Sequence, residues 1–525
     1  MGEEGITRAT PETAPQAALP ARRRDRPSTR GRAVSQPGHA PHPRLRNPWK
    51  PVELFTEEAI ARILDTAYTV LEKAGLEIRS ARARDIYRKH GANVDDETQM
   101  VRLGRDVVQN FCGKAPERFV LHARNPARDL HVGGDIVNFG PVHGTPNVTD
   151  LEGGRRYSTI EDFRSILKVT HLLGVLNWQG GVVTEPTDLP VPARHLDMYL
   201  AHAETSDIVW GARGVGLVQA QDGIAMSAIE HGTTPEALGD RPTLLVLTNV
   251  NSPRRVDEEI LDNIMTMAAH GQCVCITPFT LMGAMAPVTL AGALAQQSAE
   301  ALGLIALIQM IRPGCPAVFG GFTSNVDMRT GSPAFGTPEY VHATLGGAQI
   351  ARALKLPYRS SAVCGSPAAD AQAAYETQFS LWASIMSHSH LISHATGWIE
   401  GGLAASFEKV IIDAEMIRAW AAILQPREVS DDELALDAIL ATPPGGHYFG
   451  AAHTLARYET AFWRPILSDW SNFENWHERG AKDATQRANE VWKKTLASYE
   501  PPPLDLGIHE ALKDYAARRR REIGT

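Results

Sequence analysis

The sequence predicts a (β/α)8 (TIM) barrel with an N-terminal α+β cap subdomain and a C-terminal α-helical extension. Three observations predict it. Between Ile136 and Leu403 the chain carries eight short, apolar, Gly-punctuated runs, each followed by a helix-compatible segment. Successive runs are roughly 30–45 residues apart, the length of one βα unit with its loops. Runs such as Leu244-Leu245-Val246-Leu247 are apolar without alternation, as parallel strands buried on both faces require. An open doubly wound sheet would show the same periodicity.

The elements follow in order. Residues 1–47 hold nine arginines against four acids, with many prolines and few apolar residues, and read as a disordered tail. No apolar segment follows Arg22-Arg23-Arg24, which argues against a secretory or twin-arginine signal. The cap subdomain, 48–134, starts with Thr56 as a helix N-cap, followed by Ile60, Ile63, Leu64, Ala67 and Leu71 at helical spacing and Gly75 as the stop. A second helix (Ser80–His90) and short strands near Val101 and Phe119–His122 complete it. The barrel, 135–404, has strand windows Ile136–Val142, Val175–Val183, Ile208–Gly214, Leu244–Val250, Val274–Phe279, Ala317–Phe322, Arg359–Cys364 and Leu391–Trp398. The extension, 405–525, reads as amphipathic helices over Phe407–Leu424, Asp431–Leu440, His453–Trp463 and Asp483–Tyr499, with Trp463, Trp470, Trp476 and Trp492 as packing anchors.

The formal net charge is −8 and the basic residues concentrate in the tail, so the body is acidic and nucleic acid is not an expected partner. Five cysteines without CxxC spacing point to a reducing compartment, the cytoplasm. Cys273–Ala295 is free of charge and long enough to span a bilayer. Pro278, Pro287 and the following Gln296, Gln297 and Glu300 make it a buried strand, a loop and an inner helix face instead, and no membrane association is expected.

Leu71-Glu-Lys-Ala-Gly-Leu-Glu-Ile78, Thr149-Asp-Leu-Glu-Gly-Gly-Arg-Arg-Tyr-Ser-Thr159, Met328-Arg-Thr-Gly331, Asp370-Ala-Gln-Ala-Ala-Tyr-Glu376 and His453-Thr454, with Trp476, Gly480 and Ala488 downstream, occur in this order. In these pieces the chain, from about Pro48 to Leu506, resembles the trimethylamine methyltransferase family, the corrinoid-dependent methylamine methyltransferases and their quaternary-amine relatives. The resemblance implies a (β/α)8 barrel, a homo-oligomer, and transfer of a methyl group to the cobalt of a corrinoid (cobalamin) carried by a separate partner protein. Ser360-Ser-Ala-Val-Cys-Gly-Ser-Pro367 holds ordinary residues where the trimethylamine enzymes of methanogens have pyrrolysine. That departure points to the non-pyrrolysine branch, which acts on quaternary amines such as glycine betaine. No Asp-x-His-x-x-Gly motif is present, so the corrinoid is expected to visit rather than reside.

Demethylation of R–N⁺(CH3)3 by Co(I) expels a neutral tertiary amine, so the protein must bind the cation, align one methyl and exclude water. Aromatic faces bind quaternary ammonium at about 0.5–2 kcal/mol each. Candidates at strand ends are Phe139, Trp178, Trp210, Phe279, Phe322 and Trp398, with Tyr375 in the family motif; Trp178, Phe322 and Trp398 are the expected cage. Glu204, Asp327, Asp370 or Glu400 could add charge, and His143, Asn147, Gln179, Arg213 and Asn249 could serve a substrate carboxylate. The family motif makes Asp370, Gln372 and Glu376 the expected catalytic residues. His388, His390 and His394 have no acidic or Cys partner at a metal-ligand spacing, so no metal is expected, and Cys364 is read as a buried thiol. Two other readings share the fold: a zinc-dependent methyltransferase and a non-catalytic barrel that binds quaternary amines or a corrinoid protein.

Overall fold

Eight parallel strands form the central sheet: β1 (Asn138–Phe139), β2 (Trp178–Gln179), β3 (Val209–Gly211), β4 (Leu244–Thr248), β5 (Cys273–Ile276), β6 (Ala317–Gly320), β7 (Tyr358–Ser361) and β8 (Leu391–Ser393). The structure is a computed structural model that describes residues 44–524. Each strand pairs with the next in sequence from β2 to β8, and β8 pairs with β1 through Leu391–Asn138 and Ile392–Phe139. The Asn177 N–H donates to Phe139 O (2.9 Å), and Thr145 and Thr184 form a parallel bridge above it, so β1 and β2 close the ring. The expected barrel is therefore present. All eight strands are shorter than their windows, and β5 and β7 start one residue early.

The helices between strands are α1 (Ile160–Leu173), α2 (Arg194–Thr205), α3 (Leu217–Glu230), α4 (Glu258–Ala269), α5 (Leu290–Ile311), α6 (Pro338–Ala353), α7 (Ala371–Met386) and α8 (Phe407–Ile423). Local chemistry sets their starts: Thr159 and Asp162 form a capping box on α1, Thr337 caps α6 ahead of Pro338, and Asp370 caps α7. The sequence groups α8 with the extension, but α8 packs between α7 and α1 and takes the eighth place in the ring. The charge-free run resolves into β5, its loop and the start of α5, a helix buried along nearly its whole length.

The N-terminal subdomain flanks the barrel rather than covering its mouth. Its helices Glu57–Thr69, Ala81–Lys89 and Arg105–Cys112 pack on α5, with Tyr87 Oη donating to Gly303 O (2.9 Å). Gly75 ends the first helical stretch at φ +74, where a Cβ would stand 2.4 Å from Val101 O. The hairpin Phe119–Leu121/Leu130–Val132 plugs the opposite end, its Leu121, Leu130 and Val132 meeting Val209, Leu245, Cys273 and Leu391 at the strand starts. Of the expected tail, residues 1–43 lie outside the described residues, whereas Leu45 and Asn47 are buried and Asn47 Nδ2 donates to Ile385 O (2.7 Å).

Beyond α8 the chain wraps the barrel's outside. Helix Ala484–Ala497 lies on α8 and α1, and a last helix, Leu506–Ile523, not anticipated from sequence, lies on α2 and α3, where Tyr515 and Arg519 both donate to Asp222 at 2.7 Å. Trp492 packs on Phe407, but Trp470 is 71% exposed and meets only the Trp463 ring, at 6.2 Å, among the ring contacts of the described residues. Between these parts, no residue from 425 to 466 is buried.

Candidate active site

At the C-terminal end of the strands a cavity of about 260 Å³ opens among His143, Asn249, Phe279, Phe322, Phe335, Arg359, His394 and Trp398, with Leu247 and Thr277 at its base. The strand ends deliver most of these side chains, as the barrel requires. Phe279 and Phe322 follow β5 and β6; their rings are 5.0 Å apart, and Phe335 stacks on Phe322 at 5.7 Å. Trp398 stands edge-on to Phe322 (6.3 Å) and to Phe335 (6.2 Å). Four rings thus enclose one wall of the cavity.

Arg359 supplies the opposite character. It projects from β7 with 2% of its surface exposed, donates from Nε to Ser393 Oγ (2.9 Å), and lies 5.2 Å from the Phe322 ring centre. Its Nη1 is buried with no partner, and no carboxylate pairs with it among the described residues. Burial pulls its pKa below the ordinary arginine value. His143 is pushed down to about 4, by burial first and Arg359 second. His394 is held well below the ordinary histidine range by the same causes, with His143 adding to them. Both rings are neutral near pH 7, and His394 Nδ1 is hydrogen-bonded to Ser361 Oγ (2.9 Å).

Of the residues expected to bind substrate, His143, Asn249, Phe279, Phe322 and Trp398 line the cavity. The others lie elsewhere. Trp178 fills the lower barrel core, where a Cβ on Gly140 would meet its ring at 2.3 Å, so it is no part of the cage. Phe139 packs between the sheet and the outer helices, and Gln179 turns outward to Thr170 on α1. Trp210 donates to Glu230 (2.6 Å), Asn147 to Leu403 O (2.9 Å), and Arg213 to Glu185 (2.9 Å). Asp327 holds its own turn through Arg329 N–H and Thr330, Tyr375 is exposed on α7, Glu400 pairs with Arg155 (2.9 Å), and Glu204 with Arg164 and His509.

The three motif residues build the loop after β7 and do not line the cavity. Asp370 Oδ1 accepts from Ala373 N–H and Ser366 Oγ, both at 3.0 Å. Glu376 Oε2 accepts the N–H groups of Gly365 (2.8 Å) and Ser366 (3.1 Å), while Gln372 donates to Glu376 Oε1 (2.9 Å). Cys364 donates to Trp398 O (3.0 Å), and burial pushes its thiol up to about 11, so it stays protonated. His388 bonds Trp49 O, and His390 bonds Gly134 O and Tyr358 N–H, so the three histidines point at separate partners. Among the described residues no cluster of three His, Cys, Asp or Glu side chains could hold a metal.

Sequence reasoning missed Phe335, Arg359 as a cavity group, and His394 as a cavity wall. Phe335 arrives from the hairpin Ser324–Val326/Pro333–Ala334, well past the end of β6, where a strand-end search does not look. Arg359 did carry a signal, a charge inside an otherwise buried strand.

Residues 21–524 match the trimethylamine methyltransferase (MTTB) family. The chain belongs to this family. Among curated proteins it is 33% identical to a glycine betaine methyltransferase of Desulfitobacterium hafniense strain Y51 over 472 residues, which is 90% of this chain and 98% of that one. It is 27% identical to the trimethylamine methyltransferase MttB of D. hafniense strain DSM 10664 / DCB-2, covering 90% and 94% of the two chains. It is 25% identical to an L-carnitine:corrinoid methyltransferase of Eubacterium limosum, covering 86% and 94%. The protein is accordingly a methyltransferase, and the reading as a non-catalytic barrel is set aside.

Proposed function

We propose that the protein moves a methyl group from a carboxylated quaternary amine of the glycine betaine class to the Co(I) corrinoid of a separate protein. The observation that carries this is the buried Arg359 beside four aromatic rings, with no protein carboxylate in the cavity. Leaving a guanidinium buried and unpaired is expensive, and a ligand anion removes that cost. The rings suit a trimethylammonium group, which offers no hydrogen-bond donor. A cation without a carboxylate would meet Arg359 as a like charge, so trimethylamine, as its ammonium, and choline fit worse. The protein's residues orient and desolvate: Arg359 takes the carboxylate, the rings hold the ammonium with one methyl toward the mouth, and the neutral histidines add no repulsion. The incoming cobalt supplies the nucleophile; the C–N bond breaks, a Co–C bond forms, and a neutral tertiary amine leaves. Asp370, Gln372 and Glu376 act on this reaction through the loop they hold.

The rim supports a visiting acceptor. Leu151, Tyr157, Val191, Val288, Met328 and Leu403 lie exposed on five of the loops that surround the mouth, and exposed apolar side chains spread around a mouth suit a docking partner. Five free, buried cysteines are consistent with a cytoplasmic setting. The exposed apolar segment 425–466 supports a homo-oligomer. The test is methyl-Co(III) formation, followed by absorbance, from glycine betaine, carnitine, choline and trimethylamine with a Co(I) corrinoid protein. Glycine betaine or another carboxylated amine is expected to react; choline or trimethylamine reacting in preference would overturn the substrate class.

A further inference from the structure

We propose that Lys409 and Asp413, which do not touch the cavity, are positioning residues that hold the 394–398 turn and with it two of the cavity's rings. The inference rests on the cavity being the substrate site. Residues His394 to Trp398 leave β8 in a tight turn, and His394 and Trp398 end with their rings 4.0 Å apart on the cavity wall. The turn is made under constraint: His394 has φ +56, and Gly397 has φ +83 with no room for a Cβ, which would stand 2.8 Å from the Val410 side chain. Within it the Gly397 N–H is accepted by Asp413 Oδ2 (2.8 Å). Asp413 Oδ1 accepts from Lys409 Nζ, which also donates to Thr377 Oγ1 on α7 (2.8 Å). One side chain pair thus ties α7, α8 and the turn together.

Stability alone does not account for the pair. Its side chains are 1% and 0% exposed, and a buried ion pair is often no better for stability than apolar residues of the same volume. Lys409 also sits in the first turn of α8, where the helix dipole opposes a cation. What apolar residues could not supply is an acceptor aimed at the Gly397 N–H.

Two double variants separate the roles. Lys409→Met with Asp413→Asn removes both charges but keeps an amide oxygen for Gly397; Lys409→Met with Asp413→Leu removes the acceptor as well. Hydrogen exchange of peptides spanning 394–398 is expected to stay slow in the Asn form and to speed up by about 10-fold or more in the Leu form, at similar thermal midpoints. Glycine betaine, titrated calorimetrically, should bind the Asn form within about 3-fold of the parent and the Leu form at least about 10-fold more weakly. Unchanged exchange in a folded Leu form would overturn the proposal. If the parent does not bind glycine betaine, the substrate reading fails while exchange still decides the positioning role. If the Leu form does not fold, the parent's Gly397 amide decides: protection like that of the α8 core is expected, and exchange at the rate of exposed loops overturns the proposal.

Discussion

Inside the barrel the Arg359 guanidinium has one hydroxyl partner, Ser393, and one aromatic face, Phe322. Its charge costs stability in the free protein and is useful only when an anion arrives. Arg359→Met should therefore raise stability, on the order of 1–3 kcal/mol, while weakening glycine betaine binding by roughly 10- to 100-fold. Thermal melts and calorimetry check both signs, and a destabilised variant with unchanged affinity would refute the carboxylate role. The histidines set a second expectation. Burial pushes His143, His202 and His390 from 6.5 to about 4 and holds His394 well below 6.5. Below pH 6.5 the unfolded chain takes up these protons and the native one does not until about pH 4, so stability falls on acidification, by about 1.4 kcal/mol per pH unit per group once well below 6.5. Asp413, pushed up from 3.8 to about 6, and Glu300, which burial also raises, work in the opposite direction but are two groups against four. Urea midpoints should drop between pH 6.5 and 5, while glycine betaine affinity stays flat from 6.5 to 8; a constant midpoint over that range would contradict the buried neutral histidines. At this scale the sequence was readable where chemistry and strand ends coincide, as at His143, Asn249, Phe279, Phe322 and Trp398. It misled at Trp178, because residue type does not tell whether a strand-borne ring points to the lower core or the mouth.

At the scale of elements, α5 shows how a nearly charge-free helix can organise a site. Its polar side chains are spent on the loops of its neighbours. Gln296 donates to Met285 O (2.9 Å) in the loop after β5, and Gln297 accepts from Thr323 Oγ1 (2.5 Å), next to Phe322. Thr323 in turn meets Thr280, next to Phe279. Glu300, whose pKa burial raises, accepts from Ser252 Oγ (2.6 Å) and Arg254 N–H (2.8 Å) after β4. Three loops that carry Asn249, Phe279 and Phe322 are thereby fixed to one rigid element, the support a preorganised site needs. The sequence disclosed α5 as an inner helix because Gln296, Gln297 and Glu300 break an apolar run, yet their partners are contacts between distant residues that no local pattern encodes. The same limit explains α8. Its amphipathic pattern fixes it as a helix, and only packing against α7 and α1 shows that it belongs to the barrel.

For the molecule as a whole, the segment 425–466 leaves α8 at the end of the barrel away from the mouth and folds into short helices that bond among themselves, as His453 Nε2 does with Asp432 O and Arg457 with the Asp432 carboxylate. None of its residues is buried, and Leu440, Phe449 and Phe462 are at least 75% exposed. Soluble monomers rarely leave so many large apolar side chains of one segment in water. The acceptor protein is a poor occupant, because a methyl group can leave only through the mouth. A second copy is a good one: α7 carries its own uncovered stripe, Tyr375, Phe379 and Trp382, spaced to lie on one helix face. Segment against stripe, repeated by two-fold symmetry, would bury two such contacts, as a self-complementary dimer interface does. Light scattering on the eluting protein should give a dimer or larger assembly at micromolar concentration. Phe462→Glu on the segment and Phe379→Glu on the stripe should each lower the mass while leaving glycine betaine affinity intact. A monomeric parent at tens of micromolar, or an assembly indifferent to both substitutions, would show that neither surface is an interface between copies.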